Sequence, residues 1–159
     1  MVEAQHRELL KHSDMFRGLD DAQLERIAAL GASQTFSEGA VVLQEDQRGG
    51  TFYFLLAGRV DIEIQPPFTG REPQKLATLK RGETFGELSL VDGYLRSASA
   101  RAHDQVEVLA FENAALEALM DEDPRIGFRI MRNLASVLAG RIRSTNVRLR
   151  NAIADIFYY

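Results

Sequence analysis

The sequence contains no cysteine, and histidine is scarce, with three residues in 159. Without thiols the chain can form neither disulfides nor thiolate metal sites, which is typical of a reducing compartment. No apolar run reaches the roughly 20 residues that a membrane-spanning helix needs. Charged residues also interrupt the N-terminal stretch MVEAQHRELLKHSD where a signal peptide would be apolar. We therefore expect a cytoplasmic protein that makes no membrane contact.

Short apolar runs separated by glycine turns fill the middle of the chain. Nine of the twelve glycines lie between residues 31 and 93, among runs such as TFYFLLA and RVDIEIQ. In the second run Val60, Ile62 and Ile64 alternate with acidic residues, as in a strand with one buried face. Many short strands of this kind predict an antiparallel sandwich, barrel or jelly roll.

Helices are predicted on both sides of this region. Near the N-terminus, Asp20 and Gln23 have the spacing of a capping box, and Gly31 is placed to end that helix. Pro124 suits the first position of a second helix that could run through Ile156. Its mostly apolar stripe consists of Ile126, Ile130, Leu134, Val137, Leu138, Ile142, Thr145, Leu149 and Ile153. This stripe is longer than the surface that a small β-domain could cover. We therefore favour a homodimer through the helix over packing on the sheet alone.

The span 124–151 contains seven arginines and no acidic residue. It is either a solvated helix face that offsets an acidic body or a surface that binds a partner, and we favour the former. Only the eight residues AIADIFYY follow Asn151, too few for a helix-turn-helix. We therefore expect no specific DNA binding by this chain, only weak and salt-sensitive binding.

The three histidines are dispersed along the sequence. His6 and His12 fall in the predicted N-terminal helical segment, and His103 falls near the last predicted strand. A metal-dependent jelly-roll enzyme would need clustered histidines and an acid, and no motif supports a Ser/His/acid set. We expect no metal and no catalytic activity.

The segment FGELSLVDGYLRSASARA, residues 85–102, carries the chemistry. GELSL can form a short helix directly after a glycine turn, and the first amides of a helix attract anions. Arg96 follows a turn that folds the chain back, so its guanidinium could bind the same anion with two hydrogen bonds. Glu87 can only accept, which suits a hydroxyl such as a ribose 2′-OH. These residues predict a sugar-phosphate pocket.

This segment resembles the phosphate-binding cassette of the cyclic-nucleotide-binding domain family, to which the catabolite activator and the regulatory subunits of cAMP-dependent protein kinase belong. The family pattern is roughly F-G-E-L/M-x-L, a short loop with glycine, and then P-R-S/T/A-A. The matching positions are Phe85, Gly86, Glu87, Leu88, Leu90, Gly93, Arg96, Ser97 and Ala98. EGAVVLQEDQRGGTFYFLLAGRVDI resembles the family's earlier strands, and the resemblance runs from about Phe16 to Arg150.

The resemblance implies a mainly β fold, an eight-stranded β-roll or jelly roll with flanking helices. It divides the chain into an N-terminal helical segment at 1–32, a β-roll at 33–111 with the cassette at 85–98, and C-terminal helices at 112–159 that cap the pocket and dimerise. It implies cAMP, or less favourably cGMP, as the ligand. The downstream effector protein cannot be named from the sequence.

The resemblance also implies a role for each pocket residue. The phosphate would be held by Arg96, by Ser97 and by the amides of Leu88 and Ser89, with Ala98 leaving clearance. The 2′-OH would be held by Glu87 and the Gly86 backbone. The base would meet Leu76, Leu79 and either Thr145 or Asn146.

Three departures from the family pattern stand out. Leu95 replaces the usual proline, which loosens the turn entropically. The family's E-G-D turn reads Glu45-Asp46-Gln47, so Asp46 is expected to take a positive φ. The capping helix is about one turn longer than in the catabolite activator, which bears on the Thr145 assignment.

We therefore expect a regulatory module in which ligand binding moves the C-terminal helix. The alternative is the ligand-binding part of a catabolite-activator-type transcription regulator, or of an ion channel, whose effector domain is absent from this chain.

Overall fold

A computed structural model describes residues 4–66, 70–93 and 95–157. The helices in these ranges are α1 (Ala4–His12), α2 (Asp21–Ala28), α3 (Leu88–Asp92), α4 (Asn113–Glu122) and α5 (Pro124–Phe157). The strands are β1 (Ala32–Phe36), β2 (Val41–Leu43), β3 (Thr51–Ala57), β4 (Arg59–Ile64), β5 (Gln74–Lys80), β6 (Thr84–Phe85), β7 (Ser99–Ala102) and β8 (Val106–Glu112).

The strands form two four-stranded sheets, ordered β1-β8-β3-β6 and β2-β7-β4-β5. All of their pairings are antiparallel. The predicted β-roll with flanking helices is therefore confirmed. Strands that are adjacent in the sequence often lie in different sheets, which is how a jelly roll closes around one core.

Strand β3 is buried on both faces, which explains why its sequence TFYFLLA is almost continuously apolar. Phe52 and Phe54 pack with the helices, and Phe52 stacks on Phe111 of β8 with ring centroids 5.0 Å apart. Leu55 points the other way, into the core between the sheets beside Phe85. The helical core and the inter-sheet core thus meet at this strand.

Helix α2 begins with the predicted capping box. The carboxylate of Asp20 accepts from the Gln23 amide at 2.8 Å, and the Gln23 side chain accepts from the Asp20 amide at 3.0 Å. The prediction that Gly31 ends this helix was wrong, because the C-terminal cap is Ala29 in right-handed helical geometry. Gly31 is small for a different reason, since a Cβ there would lie 3.2 Å from the Phe111 ring.

Helix α5 extends beyond the helical core that holds its first half. Ile126, Ile130 and Leu134 are buried in that core, whereas Ile142 and Ile153 are exposed. The predicted start at Pro124 is confirmed, and the helix is described through Phe157, past the predicted Ile156. None of the described helices combines the length and apolarity that crossing a bilayer requires.

Candidate functional site

A cavity of about 840 Å³ lies between the β2-β7-β4-β5 sheet, helix α3 and the second half of α5. Ten of the eleven residues predicted for the site line it: Leu76, Leu79, Gly86, Glu87, Leu88, Ser89, Arg96, Ser97, Ala98 and Thr145. Asn146 does not line it. One step along a helix rotates the side chain by about 100°, so Asn146 points away from the wall that Thr145 joins.

The cassette turns sharply at Gly86, between β6 and α3. Gly86 has φ +79°, a value that favours glycine, and a Cβ there would lie 2.9 Å from Nη1 of Arg96. The short predicted helix follows as α3 and ends at Gly93, which has left-handed geometry and donates its amide to the Ser89 carbonyl at 3.1 Å. This turn places Glu87 and the head of α3 on the cavity wall.

The backbone of Arg96 is held by the loop between β2 and β3. The Arg96 amide donates to the Gln47 carbonyl at 2.8 Å, and the Asp46 amide donates to the Arg96 carbonyl at 2.9 Å. Asp46 has φ +64°, which confirms the positive φ expected at this position. Asp46 therefore replaces the glycine of the family pattern and still forms the turn that anchors Arg96.

Arg96 is 8% exposed, and among the described residues its guanidinium donates only to uncharged acceptors. Nη1 donates to the Gly86 carbonyl at 2.8 Å and to the Ser89 hydroxyl at 3.2 Å, and Nη2 donates to the Thr51 carbonyl at 2.5 Å. Burial lowers the pKa of this guanidinium, while the electrostatic effects of Tyr53 and Glu87 oppose the shift. A desolvated cation that pairs with no described carboxylate is well suited to an anionic ligand.

The side chain of Glu87 is 1% exposed, and its two carboxylate oxygens differ in their hydrogen bonding. Oε1 accepts a hydrogen bond from Nη1 of Arg141, and the two side chains form an ion pair. Oε2 is buried and has no hydrogen-bond partner among the described residues. An unsatisfied buried acceptor is costly, so this oxygen suits a hydroxyl donor brought by a ligand.

Two arginines hold α5 over the cavity. Nη2 of Arg141 donates to the Thr84 carbonyl at 3.3 Å, and Nη1 of Arg148 donates to the Leu76 carbonyl at 2.8 Å. They are seven residues apart and so share one face of the helix, with Thr145 between them. Neither arginine was predicted from the sequence, because the arginine-rich span was expected to face solvent. Their spacing about Thr145 was the available signal.

Asn113 is a third site residue that the sequence did not identify. It is buried at the start of α4, and its Nδ2 donates to the Ser89 hydroxyl at 3.1 Å. That hydroxyl in turn donates to the Gly86 carbonyl at 3.1 Å. Asn113 thus connects the cassette to the C-terminal helices, and no local sequence pattern identifies such a contact.

The histidines lie away from the cavity. His12 pairs with Glu8 at 2.8 Å on the surface of α1, and Nδ1 of His103 lies 2.8 Å from the Asp61 carboxylate. His6 belongs to α1 as well. Within the described ranges, no three His, Asp or Glu side chains come together in a way that could hold a metal ion.

The cavity has apolar walls and receives one arginine and one buried carboxylate beneath a covering helix, an arrangement that suits a small polar ligand in a β-roll module. The family model for the cyclic nucleotide-binding domain matches residues 33–123. The chain belongs to this family, as the sequence resemblance had indicated.

The relatives agree with this assignment. The chain is 28% identical over 151 residues to the CRP-like cAMP-activated global transcriptional regulator of Mycobacterium tuberculosis, a match that covers 95% of this chain and 63% of that protein. It is similar at 30% identity and a TM-score of 0.76 to the catabolite activator protein of Thermus thermophilus, over 87% of this chain and 62% of that one. The chain thus spans about three fifths of the length of these relatives. A cyclic nucleotide-binding domain from Methylobacillus flagellatus, 22% identical, shares the fold with a TM-score of 0.81 over 93% of this chain and 82% of that one.

Proposed function

We propose that this chain binds a cyclic nucleotide, cAMP in preference to cGMP, and transmits binding through a movement of α5 without catalysing a reaction of its own. One observation carries the proposal. The same cavity receives the guanidinium of Arg96 and the carboxylate of Glu87, whose Oε2 has no partner among the described residues. A cyclic nucleotide offers a phosphate to the first group and a 2′-hydroxyl to the second.

The residues that line the cavity support separate roles in binding the phosphate, the ribose and the base. Arg96, Ser97 and the amides at the head of α3 would hold the phosphate, and Ala98 leaves room for it. Glu87 and the Gly86 backbone would hold the ribose. The base would lie along the apolar wall of β4 and β5, under α5. That wall includes Ile62, Ile64, Leu76 and Leu79, and Thr145 faces it from α5.

The apolar character of this wall favours adenine over guanine. A base buried against leucine and isoleucine side chains loses its water, and each polar edge group without a partner then costs free energy. Guanine carries more such groups than adenine, because its O6, N1–H and N2 amine all need partners. The cAMP activation named for the Mycobacterium tuberculosis relative supports the same preference.

Titration calorimetry with cAMP and cGMP tests the proposal. A charge-assisted hydrogen bond contributes roughly 1.5–3 kcal/mol, so Arg96→Ala, which removes two, should weaken cAMP binding by about a hundredfold or more. Arg143→Ala is the matched control, since it removes the same charge from an exposed position of α5. If neither nucleotide binds the wild-type chain at millimolar concentration, the proposal fails. Near-normal affinity of Arg96→Lys would exclude a bidentate role, because lysine lacks the planar fork.

The proposed movement follows from where the ligand would sit. A nucleotide in the cavity touches both the sheet and α5, so its affinity depends on the position of that helix. Because the chain has no cysteine, spin labels can be placed at Glu38→Cys and Asn151→Cys, both exposed. We expect cAMP to change the distance between the labels, and Arg96→Ala to need about a hundredfold more cAMP for the same change. An unchanged distance at saturating cAMP would refute the movement.

We also propose that two copies associate through the exposed part of α5. Ile142, Asn146, Leu149, Ile153 and Ile156 follow one another at alternating spacings of four and three, which is a heptad seam. The four apolar members of this seam are all exposed in the single chain. A second copy that presents the same seam would cover them.

Charges beside the seam favour a parallel pair. Arg143 and Arg150 both occupy the e position when Ile142 and Leu149 are assigned to d. In an antiparallel pair these arginines would face each other across the seam, whereas in a parallel pair they face uncharged g positions. Asn146 then falls at an a position, where a buried polar residue fixes the register of two parallel helices. This assignment replaces the contact with the base that the sequence suggested for Asn146.

Sedimentation velocity provides the test of the dimer. Ile153→Asp should give a monomer, while Val147→Asp should leave a dimer, because Val147 lies off the seam. The two side chains are matched controls, being 46% and 47% exposed. A wild-type chain that sediments as a monomer with and without cAMP would refute the dimer.

A further inference from the structure

Arg96 lies in a retracted position within the protein. Three of its N–H groups already have acceptors, the carbonyls of Gly86 and Thr51 and the hydroxyl of Ser89. A guanidinium has five N–H donors, so one N–H on Nη2 and one on Nε have no acceptor among the described residues. A bidentate phosphate contact would need these two together.

The space for the retracted guanidinium exists because residue 49 is glycine. A Cβ built on Gly49 would lie within 2.5 Å of Cζ, Nε and Nη2 of Arg96. The backbone of Gly49 does not itself require glycine, since its φ lies outside the left-handed region. The missing side chain therefore provides room rather than conformational freedom. A Cβ on Gly50, the next residue, would point into open space, with no neighbouring side chain or backbone within 4 Å.

The loop at Gly49 also covers the donors that a phosphate would need. The position that a Cβ of Gly49 would take lies directly against Nε and Nη2, the two atoms that carry the remaining N–H groups of Arg96. A phosphate cannot approach both while the loop lies against them. To hold a phosphate with two hydrogen bonds, the guanidinium has to move out from under the loop.

We propose that Gly49 gives Arg96 a resting place that competes with the nucleotide phosphate, so that Gly49 sets the affinity of the site. The inference rests on the proposed function, because the phosphate is the ligand that Arg96 would leave this place to bind. If only molecules with an extended Arg96 can bind the phosphate, the apparent dissociation constant equals the intrinsic constant divided by the fraction of molecules in which Arg96 is extended. A side chain at position 49 removes the resting place and this penalty with it.

Gly49→Ala and Gly50→Ala form a matched pair for testing the resting place without nucleotide. In Gly49→Ala the arginine has to leave its three acceptors, and we expect the melting temperature to fall below that of Gly50→Ala by about 2–6 °C. In an Arg96→Ala background the methyl group meets no guanidinium, so this difference should vanish. A difference that persists in that background would refute the contact.

Calorimetry with cAMP then tests the competition. If Arg96 is extended in about a tenth to a third of the molecules, Gly49→Ala should bind cAMP about three- to tenfold more tightly than wild type and Gly50→Ala. A merely structural role for Gly49 would lower stability and affinity together, so a weaker or unchanged affinity overturns the inference. If the wild-type chain binds no cyclic nucleotide, the proposed function and the competition both fail, while the melting temperatures still decide whether Gly49 provides the resting place.

Discussion

The ion pair between Arg141 and Glu87 allows a quantitative prediction about how α5 is held. Arg141→Ala removes the cation that contacts Oε1 of the carboxylate and also the contact with the Thr84 carbonyl. Oε2 has no partner among the described residues. Without Arg141, no described side chain would donate to the carboxylate of Glu87. We expect α5 to loosen over the cavity and the whole chain to lose stability.

The magnitude follows from the unequal burial of the two partners. Breaking a fully buried pair costs about 3–5 kcal/mol, because one charge is left desolvated, whereas an exposed pair contributes about 0–1 kcal/mol. The side chain of Glu87 is 1% exposed and that of Arg141 is 44% exposed. Water can therefore reach the site partly once the arginine is gone, and we expect a loss of about 1–3 kcal/mol at neutral pH.

Urea unfolding of four variants measures this loss. Arg143→Ala changes the same residue type two positions along α5 at an exposed position, and so reports the effect of removing a cation from this helix without breaking the pair with Glu87. Glu87→Gln and the double variant Glu87→Gln with Arg141→Ala complete a thermodynamic cycle. We expect Arg141→Ala to cost less than about 1 kcal/mol when residue 87 is glutamine, since no buried charge is then left unpaired.

Two results would refute the reasoning. If Arg141→Ala and Arg143→Ala unfold at the same urea concentration, the pair does not stabilise the fold. If Arg141→Ala costs as much beside glutamine as beside glutamate, the loss arises from packing of the arginine stem rather than from the charge.

Two further predictions concern other charged groups. Although burial opposes the shift, hydrogen bonds from Thr78, Lys75 and His103 lower the pKa of the Asp61 carboxylate from 3.8 to about 2. This group therefore contributes stability above about pH 4 that is lost as the pH falls towards 2, and Asp61→Asn should flatten urea-unfolding free energies across that window; parallel profiles for the two proteins would contradict this. The other prediction concerns 2′-deoxy-cAMP, which lacks the hydroxyl that would donate to Glu87. It should bind more weakly than cAMP and leave the distance between the spin labels unchanged. An equal distance change with both nucleotides would exclude the ribose from the signal.

The sequence predicted the cassette well because its geometry is local. Gly86 and Gly93 both take left-handed backbone conformations at the two ends of α3, and such turns are legible from glycine positions. Asp46 was also predictable, since few other residues tolerate a positive φ. At Leu95 the missing proline leaves the position of Arg96 intact, because the Arg96 backbone is held by the two hydrogen bonds to the β2–β3 loop.

The partners of the cassette could not be predicted, because they come from distant parts of the chain. Arg141 meets Glu87 across 54 positions, and Asn113 meets Ser89 across 24. Periodicity identified α5 and its apolar stripe but not the path of the helix over the cavity. The arginines that hold it there are of the same residue type as Arg143, and in sequence only their spacing about Thr145 distinguishes them.

The two charged groups of the cavity differ in what they could transmit. Among the described residues, the guanidinium of Arg96 donates to the cassette and to strand β3, through Gly86, Ser89 and Thr51, so a phosphate that draws it outward rearranges the β-roll locally. Glu87 instead pairs with Arg141, which belongs to α5. A hydroxyl that binds Glu87 therefore alters a contact between the β-roll and the helix. It follows that the phosphate would supply most of the affinity and the ribose most of the helix movement, because only the ribose partner is joined directly to α5.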